Sequence, residues 1–456
     1  MRLAALLGPD LQALRADPDA IAAAFAEFHP EDVAELVEDL PDSELASLLE
    51  VLPSDVGADI IERLDADRQQ IVMDALGVTA AAALLGEMDP DDRTDFVGEL
   101  EEAQRNTLLT ELAKTDADAA EETHELLAFE PETAGGLMTT EYVGLPPGTK
   151  AWEAIEELRR IAREDDAETI YVIYVIAQGD RLLGVVSLRD LILSDPGQAL
   201  EDIMTENVVA IRAGDDQEEV ARVFARYDLT AIPVVDERFT MLGLVTVDDV
   251  VDVVIDEATE DAQMMGGVVP LEDSYFQTRL FEMIWKRGAW LVVLFLGQLL
   301  TATVMEANQS ALDAARSLAI FIPLIISSGG NAGSQSSTLI IRAMAVGEAT
   351  PRDWLRVLGR ELAIGLSLGL LLSLMGFGRA FLSGGEVEAL SLAWVVSASI
   401  LAVVTLSTII GSLLPMLIQR LGLDPAVSST PFIASVVDVL GLLVYFGLAT
   451  WILSAV

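Results

Sequence analysis

The 456-residue sequence contains no cysteine, only two histidines (His29 and His124) and only three lysines (Lys114, Lys150 and Lys286). Without cysteine there is no disulfide framework, no thiolate metal centre and no Cys/His catalytic pair. No Gly-Lys dipeptide occurs, so a phosphate-binding P-loop for an ATP-driven pump is excluded, and no Ser/His/Asp set suggests hydrolysis. The chain is therefore not expected to be an enzyme. Positive charge is scarce as a class: 27 Lys and Arg face 74 Asp and Glu, for a formal net charge of −47. Such a surface repels nucleic acid and concentrates cations. No secretory signal is expected at the start, because Asp10, Asp17 and Asp19 interrupt any apolar run there. The first half is thus expected in the cytoplasm.

The charge is unevenly placed. Residues 1–282 hold 65 acids against 18 bases, whereas residues 283–456 hold nine of each. Two readings fit the acidic half: cation sensing, or a surface adapted to high salt, where Asp and Glu are abundant and Lys is rare. Bulk composition does not separate them, so position has to.

Phe28, Leu40, Leu52, Leu64, Leu76, Met88, Leu100 and Leu112 recur every twelve residues. Segments such as LPDSELASLLEV and MDPDDRTDFVGE read as short helices opened by Asp or Ser caps, with Pro in the first turn. Stacked, they predict an acidic α-solenoid over residues 1–130. A second repeat follows: LMTTEYVGLPPGTKAWEAIEEL pairs with IMTENVVAIRAGDDQEEVARVF, and LLGVVSLRDLI with MLGLVTVDDVV. Each copy alternates β-rich apolar runs with an amphipathic helix. The pattern resembles a tandem pair of CBS domains, at 131–200 and 201–250. In that family the Gly-apolar-apolar-Ser/Thr-x-x-Asp ending can hold the ribose of an adenine nucleotide such as ATP, here through Ser187 and Asp190 or Thr246 and Asp249. The alternative is a strand-turn-helix junction with Asp as a cap.

Apolar stretches at 288–305, 317–345, 358–377, 390–419 and 426–454 are each long enough to cross or nearly cross a bilayer. An all-α membrane domain of five spans over 283–456 is expected. Lys286 and Arg287, the group Arg342, Arg352, Arg356 and Arg360, and Arg420 mark the cytoplasmic loops. The C-terminus then faces outside, and Trp290, Trp354, Trp394 and Trp451 lie near span ends.

Inside the last span stands Asp438, with no base nearby in sequence. An intramembrane carboxylate costs at least about 2.5 kcal/mol and usually lines a pathway; the competing role is a structural bond to a neighbouring helix. Pro431, read as lying inside the same helix, would free a backbone carbonyl one turn earlier. Carboxylate plus carbonyls suits a hard cation such as Mg²⁺, which keeps most of its waters. In the second span, Gly329, Gly330 and Gly333 permit close backbone approach while Asn331, Ser334 and Gln335 offer neutral oxygens; small-residue packing is the alternative. In the segment 247–270 linking the CBS pair to the first span, Asp249, Asp252, Asp256 and Glu260 form one helical stripe, with Glu257 and Asp261 beside it. Each like-charge pair costs about 0.2–0.5 kcal/mol. Divalent cations bridging many such pairs could approach the roughly 5.5 kcal/mol that switches a gate; a plain solvated helix face is the alternative.

The order of acidic solenoid, CBS pair, linking helix and five spans, with PLIISSGGNAGSQSS and DPAVSSTPFIASVVDVLG, resembles the MgtE family of magnesium channels over essentially the whole chain. The resemblance implies a homodimer in the plasma membrane with its pore on the dimer axis. It implies hydrated Mg²⁺ at Asp438, Ala434 and Thr430, with Asn331 nearby, and Mn²⁺ or Co²⁺ as further cargo. It also implies regulatory Mg²⁺ at Asp249, Asp252, Glu257, Glu260 and Asp261 of the linking "plug" helix, at Asp216 and Glu218 of the second CBS domain, and at Asp91, Asp95 and Asp424. Flux would be passive and would close when internal Mg²⁺ is high. The rival is a secondary transporter coupled to H⁺ or Na⁺, with Asp438 as the protonated group.

Overall fold

In the computed structural model of the protein, residues 25, 28–37, 40–164, 167–271, 275–276, 278–309, 316–382 and 388–454 are described. They fall into two compact units, Met1–Val254 and Ile255–Val456. The expected solenoid residues 1–24 lie outside the described residues.

The described residues of the first unit begin with a series of eight short helices: α1 (Pro30–Val37), α2 (Asp42–Leu49), α3 (Ser54–Ile61), α4 (Ala66–Leu76), α5 (Val78–Leu85), α6 (Pro90–Glu99), α7 (Glu102–Thr115) and α8 (Ala117–Leu126). The twelve-residue marks form their seam: Leu52, Leu64, Leu76, Met88, Leu100 and Leu112 are buried, while Phe28 and Leu40 pack at its edge. The capping differs from expectation. Pro41 and Pro53 occupy the N-cap itself, and of the described caps in this series only Asp116 accepts backbone N–H groups, from Asp118 and Ala119. The repeat instead closes the opposite helix ends. Gln69 donates to the carbonyls of Ile61, Glu62 and Leu64, Arg93 to Leu85 and Met88, and Arg105 to Val97, Gly98 and Leu100. Each donor stands five residues after an apolar mark, so a neutral amide and two of the scarce cationic side chains are spent on orphan C-terminal carbonyls.

The CBS copies repeat the same topology. In the first, β1 (Gly144–Leu145) pairs parallel to β2 (Val172–Ile176), which pairs antiparallel to β3 (Leu182–Ser187). Helix α9 (Ala151–Glu164) crosses between β1 and β2, and α10 (Leu188–Leu193) and α11 (Leu200–Ile203) follow. In the second, β4 (Ile211–Arg212), α12 (Gln217–Tyr227), β5 (Ala231–Val235) and β6 (Met241–Thr246) reproduce that order and pairing. The duplicated Met-Thr pairs are exchanged between copies. Thr139 and Leu244 bond reciprocally through their backbones, as do Thr205 and Val185. A Cβ on Gly243 would lie 2.4 Å from the Thr139 carbonyl, and one on Gly184 2.6 Å from Met204 Sδ, so glycine at these two positions is required by close approach.

Helix α13 (Val247–Met265) leaves the second CBS domain and ends at Gly266 and at Gly267, whose φ is +75°. Among the described residues, five helices are long and apolar enough to cross a membrane: α14 (Leu280–Ala307), α15 (Arg316–Ala345), α16 (Trp354–Phe381), α17 (Glu388–Arg420) and α18 (Thr430–Ser454). Helix α17 is central and packs on α15, α16 and α18. Gly365, Gly369 and Gly376 let α16 approach it closely, because a Cβ at each would lie within 3.0 Å of Thr408, Leu401 or Ile400. By contrast α14 buries only 6% of its most apolar window, against 56% for α17, and packs chiefly on α18. The last span starts later than the apolar run suggests. Pro425–Val427 forms a separate 3₁₀ turn and Pro431 lies in the first turn of α18, where a missing N–H breaks no intrahelical bond. The expectation of a carbonyl freed by Pro431 inside the helix is therefore not met.

Candidate cation sites in the membrane and cytosolic halves

Asp438 lies half-buried on α18 and lines a cavity of about 580 Å³ between α14 and α18, with Leu291, Phe295, Gln298, Pro431, Ala434 and Ser435 among its walls. Among the described residues it has no ion-pair or hydrogen-bond partner, so the structural-bond alternative has no partner to supply it. Ala434 shares the cavity. Thr430 and Asn331 do not line it: Thr430 begins α18, its carbonyl 3.4 Å from the donating Ser334 hydroxyl, and Asn331 is exposed on α15. The glycines of α15 serve packing. A Cβ on Gly329 would lie 2.6 Å from Val403, and one on Gly411 of α17 only 2.1 Å from the Gly333 carbonyl. Gly330 faces Ala434, and a Cβ there would make only an ordinary van der Waals contact, 3.7 Å from the Ala434 Cβ.

A second intramembrane carboxylate escaped the sequence reading. Glu361, on α16, accepts a hydrogen bond from Ser336 of α15 at 2.8 Å, and its carbonyl accepts one from Thr408 of α17. It ties three helices together and is already satisfied, which separates it from Asp438. Glu361 lies within the apolar stretch 358–377, where no role was assigned to it.

In the first unit, Asp91 and Asp95 of α6 and Asp249 of α13 come together, joined by Glu62, Asp89, Asp92 and Glu168. Single carboxylate oxygens of Glu62, Asp89 and Asp92 all lie within 4.8 Å of one another. Asp89 N–H donates to Glu62 Oε1 at 3.1 Å, while the buried Asp91 Oδ1 has no hydrogen-bond partner. Crowding by protein, followed by repulsion among the carboxylates, raises their proton affinities even where some surface stays wet. Glu62 and Glu168 are pushed up to about 8, Asp92 to about 7, and Asp95 and Asp249 to about 6; Asp91 is raised well above its ordinary range. Such a set is energetically incomplete as anions. It consists of hard oxygen donors, one of them buried without a partner, and so fits Mg²⁺ or a comparable cation. Glu62, Asp89, Asp92 and Glu168 were missed because their spacing along the chain follows no ligand motif.

In the second unit, Asp261 of α13 is raised by desolvation, then by Asp424 and Glu257, and is partly relieved by Arg342. Three expected sensor residues thus share one locality with the end of α15. Asp424 also caps its 3₁₀ turn by accepting from Ala426 N–H at 2.7 Å. Asp252 lies beside Asp249 in the first cluster, and Glu260 is half-buried on α13. Asp216 and Glu218 have local roles: Asp216 caps α12 by accepting from Glu218 N–H at 2.9 Å, and Glu218 pairs with Arg222. The two candidate ribose sites are capping pairs. Ser187 Oγ donates to Asp190 Oδ2 at 2.6 Å while accepting from Asp190 N–H, and Thr246 Oγ1 donates to Asp249 Oδ2 at 2.6 Å.

Among the described residues, five membrane-length helices, an acidic helical repeat and two CBS sheets define the class of polytopic membrane proteins that carry a CBS pair. The family models agree. The divalent cation transporter model of MgtE matches residues 322–448, the MgtE intracellular N domain 28–132, and the CBS domain 134–196 and 200–256. The chain is 44% identical over 335 residues to the magnesium transporter MgtE of Thermus thermophilus, covering 74% of this chain and 73% of that relative. The crystal structure of the soluble part of a magnesium transporter superposes with a TM-score of 0.51 at 34% identity, over 54% of this chain and 96% of that one. The cytosolic domain of the Mg²⁺ channel MgtE in complex with ATP is 36% identical over 53% of this chain and 97% of that chain, with a TM-score of 0.45. The chain belongs to the MgtE family of divalent cation transporters.

Proposed function

We infer that this protein conducts Mg²⁺ passively across the plasma membrane of its cell, with Asp438 as the pathway carboxylate and Mg²⁺ bound between its acidic cytosolic elements as the closing signal. The single observation that carries this reading is Asp438, a carboxylate without a partner among the described residues, lining a cavity between two membrane-length helices. A hydrated divalent cation satisfies it without requiring full dehydration. The inward potential supplies about 2.3 kcal/mol per charge per 100 mV, so no coupled ion or nucleotide hydrolysis is needed.

Closing follows from the raised proton affinities of the first cluster. Empty of metal, Asp91, Asp92, Asp95 and Asp249 repel; Mg²⁺ neutralises them and holds the solenoid against the start of α13. The other end of α13 bears on the pathway helices. A Cβ on Gly267 would lie 2.7 Å from the Trp290 ring and 3.4 Å from Pro431, and Trp290 Nε1 donates to Ser429 Oγ at 3.0 Å. Asp261, Glu257 and Asp424 would hold a further Mg²⁺ there, with Asp252 and Glu260 extending the acidic stripe. The exposed face of α14 supports a second copy as partner in a homodimer, in contact with lipid elsewhere. With residues 1–254 cytoplasmic and five crossings, the C-terminus is extracellular.

The test is Mg²⁺ uptake by liposomes under an imposed potential, with internal Mg²⁺ low or high and with H⁺ and Na⁺ gradients varied independently. Uptake that follows voltage, ignores both counter-ions and falls at high internal Mg²⁺ supports the reading. Dependence on a counter-ion gradient establishes the coupled transporter instead. Including ATP in the same assay tests whether Ser187 and Asp190, or Thr246 and Asp249, can open from their capping pairs to hold a nucleotide. Replacing Mg²⁺ by Mn²⁺ or Co²⁺ measures selectivity.

A further inference from the structure

Helix α14 carries one amide in its apolar stretch 288–305, where the other polar side chains besides Trp290 are the hydroxyls of Thr301 and Thr303: Gln298, exposed, with no hydrogen-bond partner among the described residues. A lone amide facing hydrocarbon is costly, because lipid offers nothing to bond. Gln298 does not need lipid as its environment, since it lines the same cavity as Asp438.

The register of the two helices makes this more than shared membership of a cavity. Trp290 of α14 bonds Ser429, immediately before α18, and its ring lies 6.3 Å from that of Phe432, so Trp290 and the start of α18 stand at one level. Gln298 is then about 12 Å further along α14 and Asp438 about 13 Å further along from Ser429, at 1.5 Å per residue. The remaining hydroxyl in the cavity, that of Ser435, already donates to the Pro431 carbonyl at 3.0 Å. The other named walls are apolar, which leaves Gln298 and Asp438 as its two uncommitted polar side chains.

We propose that Gln298 is a specificity-determining residue of the ion pathway, its amide oxygen accepting a hydrogen bond from the water shell of a cation held at Asp438. This rests on the assignment of the pathway to Asp438. A neutral amide adds no charge to hold the ion too tightly, yet it favours a cation that arrives hydrated over one that sheds water readily. Mg²⁺ is the ion that fits this preference.

Because the chain has no cysteine, Gln298→Cys gives a single reactive thiol in the full-length protein. A charged, water-soluble thiol reagent is expected to modify it and suppress flux, with Mg²⁺ slowing the modification. Leu296→Cys, whose residue is exposed but outside the cavity, is expected to stay unmodified. Gln298→Leu is expected to lower Mg²⁺ flux about tenfold, as for one lost hydrogen bond, and to lower the preference for Mg²⁺ over Co²⁺, while Gln298→Glu restores divalent flux. An inert Gln298→Cys, or wild-type flux and ion preference in Gln298→Leu, overturns the proposal. Asp438→Asn run alongside separates the two failures: if it too conducts normally, the pathway itself is misassigned, whereas if it is silent, only the role of Gln298 falls.

Discussion

The two halves of this chain hold carboxylates in opposite ways. In the cytosolic half they are numerous and crowd one another, so that Glu62, Asp92, Asp95 and Asp249 all resist ionisation. In the membrane half one carboxylate is bonded away, Glu361 to Ser336, and one stands alone in a cavity, Asp438. Crowded weak ligands respond steeply to cation concentration because several charges are relieved together, whereas a single carboxylate binds a hydrated ion loosely enough to release it. On the function proposed above, the contrast is between sensing and passage.

The largest effect expected is on the isolated carboxylate. Asp438→Asn should reduce Mg²⁺ flux about a hundredfold, as when a charge-bearing ligand is lost, while the cytosolic half keeps its wild-type stability. Flux assays with a melting profile check both parts, and retained conduction would erase the contrast.

Next in size is the double change Asp91→Asn with Asp249→Asn. It removes the repulsion and the ligands together, so the ratio of flux at low to high internal Mg²⁺ should fall about tenfold while the open rate stays near wild type. A ratio left intact would place sensing elsewhere, with Asp261 and Asp424 the next pair to change.

The pH dependence sharpens the comparison further. Carboxylates whose folded affinities are raised bind protons more tightly folded than unfolded. Their contribution is therefore fully favourable below about pH 4 and is lost as pH rises through about 6 to 8. Without Mg²⁺, the packing of the solenoid on the CBS pair should weaken over that window. Mg²⁺ should suppress the loss and bind more tightly at higher pH, since it displaces protons. Protease susceptibility of residues 28–132 against pH, with and without Mg²⁺, measures this; a flat profile contradicts it.

The smallest effect concerns the join between α14 and α18. Trp290→Phe keeps the ring and removes the bond to Ser429, which should cost about 1 kcal/mol and lower the Tm of the membrane half by a few degrees. An unchanged Tm would mean that ring packing alone sets their register.

Much of the architecture was legible because it is periodic. The twelve-residue apolar marks became the solenoid seam, the duplicated Met-Thr and Gly segments became two matching sheets, and five apolar runs became five long helices. Asp438 was legible too, since a carboxylate in the middle of an apolar run with no base nearby is conspicuous. What failed was local. The solenoid closes its helices with Gln69, Arg93 and Arg105 at their C-terminal ends rather than with Asp and Ser at their starts, and Pro431 begins a helix rather than interrupting one. Element ends depend on which side chains arrive from the next turn of the fold, and a linear pattern does not carry that.

The cytosolic cluster lies between these cases. Asp249 stood out on its helix, but Glu62, Asp89, Asp92 and Glu168 reach it from separate segments, and ordinary acidic residues in an acidic chain give no signal of convergence. The sequence by itself determined the repeats, the membrane spans and the carboxylate of the last span, because periodicity and hydropathy are properties of neighbours along the chain. Only the tertiary structure decided which acids meet, which glycines are demanded by contact and which amide shares the cavity of Asp438, because those are distances between residues that the chain keeps far apart.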